Sequence, residues 1–114
     1  MKVLTLNIKE DMPPADVAVA RLEIEIEAYT KTDVGVIKVI HGYGSHGTGG
    51  EIKKLLHNRL NQLKKHGKIK DFIPGEKWSD IVIENKGFVI DFPDLILDSD
   101  LKNYNNGITL VFLR

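Results

Sequence analysis

Val36-Ile37-Lys38-Val39-Ile40-His41-Gly42-Tyr43-Gly44-Ser45-His46-Gly47-Thr48-Gly49-Gly50 is the stretch on which the fold turns. It opens as an apolar run dense in β-branched residues, which favours a buried strand. It continues as a loop holding five of the chain's ten glycines. It ends where helical periodicity begins: Ile52, Leu55, Leu56, Arg59, Leu60 and Leu63 mark one face of a helix. A strand, a glycine loop and a helix in succession aim backbone N–H groups at an anion. Glycine serves such a loop by adopting positive φ and by letting a ligand approach the backbone. The loop has no Gly-Lys-Ser/Thr of a Walker A motif and no clean G-x-G-x-x-G. What distinguishes it is a pair of histidines, His41 and His46, set among glycines.

Outward from this core, Val3-Leu4-Thr5-Leu6-Asn7-Ile8 reads as a first strand. Pro13 and Pro14 suit the opening of a helix of about 15 residues. Two stripes compete for its buried face. One is Val17, Ala20, Ile24 and Ala28; the other is Val19, Leu22, Ile26 and Tyr29. Glu23, Glu25 and Glu27 read as a solvated acidic face, because residues two apart diverge around a helix. Residues 33–35 are expected to form the turn into the central strand. Thr48 is expected as the cap of the second helix, and Gly67 closes that helix. His57 reads as a plain surface residue, and Trp78 as a residue of the core rim. Lys68 to Ile73 is a short strand candidate. Ile81-Val82-Ile83 and Phe88-Val89-Ile90 read as a hairpin around Asn85-Lys86-Gly87, and Ile108 to Leu113 as a closing strand. Asp91, Asp94, Asp98 and Asp100 lack EF-hand spacing and read as turn residues. The expected fold is α/β: a two-layer sandwich, βαβα followed by further strands in a mixed sheet.

At 114 residues the chain is expected to form one domain, residues 1–114. No apolar run reaches the ~20 residues of a membrane span. The N-terminus lacks the pattern of a signal peptide, and there is no cysteine for a disulfide or a thiolate metal site. These features fit a cytoplasmic protein without a membrane partner and with no evident cofactor. Net charge is zero, yet residues 36–70 carry eight Lys/Arg against one acid, Glu51. The two flanks are acidic. A basic face around the loop and second helix is the expected result.

Ile40-His41-Gly42-Tyr43-Gly44-Ser45 through Gly49-Gly50, followed by an amphipathic helix, resembles the Smr (small MutS-related) domain in a stand-alone form. Asn106-Gly107-Ile108-Thr109-Leu110-Val111 resembles that family's last strand, and residues 79–103 look like an atypical insertion relative to a minimal domain. The resemblance implies binding of DNA or RNA, with nicking endonuclease activity in some members. A divalent metal would enter only with such cleavage. The implied contact residues are Lys9, His41, Gly42, Gly44, His46, Gly47, Gly49, Gly50, Lys53 and Lys54, with His41 the candidate catalytic group. The family's Leu-Asp-x-His signature falls on Leu6-Asn7-Ile8-Lys9. Asn7 cannot act as a base, and an ordinary lysine stays protonated near neutral pH. Weak or lost cleavage follows. The alternative is a non-catalytic protein-interaction domain, whose partner the sequence does not name.

Overall fold

In a computed structural model, described for residues 2–42, 48–80, 92, 93, 95, 98–102 and 105–114, helices and strands interleave as an α/β fold. The elements are β1 (Lys2–Asn7), α1 (Ala15–Tyr29), β2 (Val34–Ile40), α2 (Thr48–Lys65), β3 (Asp71–Pro74), α3 (Ser99–Lys102) and β4 (Ile108–Phe112). A 3-10 turn, Gly75–Lys77, follows β3. The expected hairpin at 81–90 lies outside the described residues.

The β-branched run becomes β2, and it is interior. The sheet order is β1-β2-β4-β3, with β1 parallel to β2 and the other two pairings antiparallel. Parallel neighbours need a long crossover, and α1 supplies it. Strand alternation then sorts the side chains between two faces. Ile37, Val39 and Val111 pack with Ile8, Val19, Leu22 and Ile26, and with Ile52, Leu56 and Leu60 of α2. Val36, Leu110 and Phe112 point the other way, onto Ile73, Trp78, Phe92, Leu95 and Leu101. Both faces of the two central strands are therefore covered, and every residue of β4 is buried.

Several local expectations shift. β2 begins at Val34, inside the expected turn, because Thr32 makes the turn earlier: its hydroxyl donates to Tyr29 O at 2.8 Å and accepts from Val34 N at 3.2 Å. α2 already includes Thr48, so Thr48 is the first helical residue rather than the cap before it. β3 starts at Asp71, with Lys68 to Lys70 forming the connection to it. Of the two stripes on α1, packing against the sheet selects Val19, Leu22 and Ile26, while Val17 and Ile24 stay exposed. Trp78 is 3 % exposed and sits within the second core cluster, so its ring offers no face to a base. Lys38, at the middle of β2, lies on that same face and pairs with Asp98 at 2.7 Å. This ion pair ties the sheet to the chain segment that covers it. No helix among the described residues is long and apolar enough to cross a membrane.

Candidate functional site

The register Asn7↔Ile40 and Ile40↔Ile108 brings the C-terminal ends of β1 and β2 together with the start of β4. Open α/β sheets commonly place ligands at such an end. His41 leaves β2 there. Its backbone N–H and that of Gly42 both donate to Gly107 O, at 2.9 and 3.0 Å. Gly107 is in turn held by its own N–H, which donates to Asn105 Oδ1 at 2.8 Å. The chain exits through Gly42 at φ +76°, a conformation that glycine adopts without strain.

His41 continues the alternation of Ile37 and Val39 and so points toward α2. It is fully buried, at 0 % exposure. Its Nδ1 lies 2.7 Å from Gly42 O, and its Nε2 lies 2.8 Å from Thr109 Oγ1. His57, reaching in from α2, places its own Nε2 2.8 Å from the same hydroxyl. The two rings stand edge to face with centroids 6.1 Å apart, and His57 also packs against Phe72. One hydroxyl thus joins two imidazoles.

The hydrogen-bond inventory assigns the protons. Gly42 O only accepts, so His41 Nδ1 carries a hydrogen. Burial pushes the His41 imidazole below the usual histidine range, against the pull of the Gly42 carbonyl and with help from the Lys53 charge. Burial, His41 and Lys53 together lower His57 to about 4. Both rings are therefore neutral near pH 7. Neutral His41 presents a lone pair at Nε2, which takes the single Thr109 hydroxyl proton. Thr109 Oγ1 is then left to accept from His57 Nε2–H. The lone pair of His57 falls on Nδ1, which has no partner among the described residues.

One helical turn before His57, Lys53 donates to Glu76 Oε1 at 2.8 Å and to Asn106 O at 3.0 Å. Burial pushes the Glu76 carboxyl up, but the Lys53 hydrogen bond and charge outweigh it and hold the group below the usual range. Its second oxygen, Oε2, is buried without a donor among the described residues. Lys53 thereby fastens α2 to the 3-10 turn and to the 105–107 turn.

The sequence-derived residues thus separate into groups. His41, Gly42 and Lys53 come together with Thr109, His57 and Glu76. Lys54 is exposed on α2, and Lys9 is exposed just past the end of β1, where its N–H donates to Asn7 Oδ1 at 3.0 Å. Gly49 and Gly50 fall in the first turn of α2. Gly44, His46 and Gly47 lie outside the described residues. His57 is a correction: it is a half-buried member of a polar network, not a plain surface residue. Sequence reasoning also passed over Thr109 and Glu76. Thr109 did carry a signal, as a lone polar residue inside a buried apolar strand that must find a partner. Comparisons with family models, with curated proteins and with solved structures found no match to this chain.

Proposed function

We propose that this chain is an Smr-like domain that holds the sugar-phosphate backbone of DNA or RNA along the surface running from the histidine-glycine loop onto α2. The observation that supports this most is the layout. A glycine-rich connection leaves the end of an interior strand and enters a helix whose outer surface carries exposed Lys54 and Lys65. Eleven residues separate them, about three helical turns, so both lie on nearly one line along the axis. Lys68 and Lys70, also exposed, follow in the connection to β3. Phosphate contacts of this kind position a nucleic acid without reading its bases. Lys53 serves mainly as a brace, since Glu76 and Asn106 already engage it.

Nicking activity on this reading is weak or absent. Asn7 and Lys9 stand where an acid and an imidazole would be wanted, and the buried His41 ring has no open edge. A divalent metal belongs only to the cutting version of the reading, and a cytoplasmic setting fits a chain without cysteine. Exposed apolar residues on and before α1, Met12 at 68 % and Ile24 at 66 %, favour a second reading as a protein-docking domain.

The test is anisotropy of labelled single- and double-stranded RNA and DNA across a salt series, with cleavage followed in Mg²⁺ or Mn²⁺. Each lost phosphate contact should reduce the salt slope by ~0.7–0.9, so Lys54→Gln with Lys65→Gln should flatten it by about 1.5. No retention of any nucleic acid at low salt rejects the proposal in favour of protein docking.

A further inference from the structure

The two imidazoles of the site are not equivalent. His41 spends both ring nitrogens inside the protein, one on Gly42 O and one on Thr109. His57 spends only Nε2. His57 is half-buried, its Nδ1 has no hydrogen-bond partner among the described residues, and its ring packs against Phe72 of β3. The proton inventory makes that nitrogen a lone-pair acceptor, not a donor.

A phosphodiester offers only acceptor oxygens. It gains from the lysines of α2 but gains nothing from a lone pair. Glu76 and the His57 ring each shift the other's titration, while Lys53 and Lys77 act on the ring in the opposite sense and keep it neutral. What a ligand meets at His57 Nδ1 is thus a neutral lone pair, which a hydrogen-bond donor can use and an anionic oxygen cannot.

We infer that His57 Nδ1, held in place through Thr109, is a ligand subsite that accepts a hydrogen bond from a hydroxyl of the bound molecule. This rests on the nucleic-acid reading, in which the hydroxyl is the sugar 2′-OH adjoining the phosphates that the α2 lysines hold. His57 is then the specificity-determining imidazole of the site, and His41 is its positioning partner.

Two backbones separate the idea from plain charge attraction: a short unstructured RNA, and the same sequence with every 2′-OH methylated. The second keeps the phosphates and loses the donor. Wild type should bind the RNA roughly five- to tenfold more tightly, the range of one hydrogen bond. His57→Ala should bring RNA down to the methylated level and leave the methylated affinity unchanged. His57→Phe, which keeps a ring against Phe72 but carries no lone pair, guards against a loss of packing and should behave likewise. Equal affinity of wild type for the two backbones overturns the subsite and leaves phosphate binding standing. Binding of neither overturns both. Imidazole ¹⁵N spectra give an answer independent of any ligand: at pH 7, His57 should carry its proton on Nε2, and a proton on Nδ1 overturns the proposal.

Discussion

Replacing Thr109 by valine isolates the hydroxyl that joins His41 to His57. Valine keeps the β-branched shape that suits a fully buried strand position, so packing against the helices is preserved. The change removes two hydrogen bonds of 2.8 Å each. Their fates differ. His57 is half-buried, and water can replace what it loses, so that side contributes roughly 0.5–1 kcal/mol. His41 is fully buried, and its Nε2 is left without a donor, which costs about 1–3 kcal/mol. The expected loss is therefore about 1.5–4 kcal/mol, a large part of the ~5–15 kcal/mol of a typical domain. For a chain of 114 residues that corresponds to a fall in Tm of roughly 6–16 °C. Urea denaturation should show a lower midpoint at an unchanged m-value. Thr109→Ser is the control: it keeps the hydroxyl and loses one methyl, for about 1 kcal/mol. A valine variant as stable as the serine variant, or more so, refutes the network as a stabilising element.

Acid should act on the same cluster. The His57 pKa in the fold, about 4, lies below the unfolded value near 6.5, so the unfolded chain binds more protons between them and stability falls as pH drops through that window. The full shift corresponds to about 3 kcal/mol; solvent screening of a half-exposed ring reduces it to roughly 1–2 kcal/mol, with the lowered His41 acting in the same direction. Flat stability between pH 6.5 and 4, or an unchanged slope in His57→Gln, contradicts this assignment. Gly75→Ala should destabilise by about 2–3 kcal/mol, because its Cβ would fall 2.9 Å from Ile108 O and closer still to Asn105 O, backbone atoms that cannot step aside. A melting temperature within ~2 °C of wild type would show that the 105–108 chain yields after all.

Much of the fold is legible in the sequence where one physical signal dominates locally. The β-branched run at 36–40 and the period of Ile52, Leu56, Leu60 and Leu63 each point to a single element. The α1 stripe is different. Val17, Ala20, Ile24 and Ala28 match the helical period as well as Val19, Leu22 and Ile26 do, and only the position of the sheet decides between them. The candidate site is less legible for a related reason. His57 and Thr109 are 52 residues apart, and nothing local to either announces the other. The prominence of His41 in the sequence is real, but composition cannot tell a histidine that braces a loop from one that meets a ligand. That distinction depends on which ring nitrogens are left open after folding.

The division of labour between the two histidines follows from where each is anchored. His41 belongs to the sheet, and a residue continuing an interior strand is buried by the helices that cover it. Its polarity must be satisfied internally, and Gly42 O and Thr109 Oγ1 do so. This fixes the point at which the glycine loop departs, because the Gly107 carbonyl clamps the same two residues through their backbone. His57 belongs to α2, one turn beyond Lys53, and a helix packed on a sheet keeps part of its flank in solvent. A histidine there can be anchored at one nitrogen and open at the other. Thr109, buried between them, transmits the constraint: by donating to His41 it must accept from His57, and so it sets which His57 nitrogen carries the lone pair. On the proposed reading, recognition by His57 and bracing by His41 are two ends of one hydrogen-bond chain. Exchanging the hydroxyl should disturb the first through the second before any ligand contact is altered.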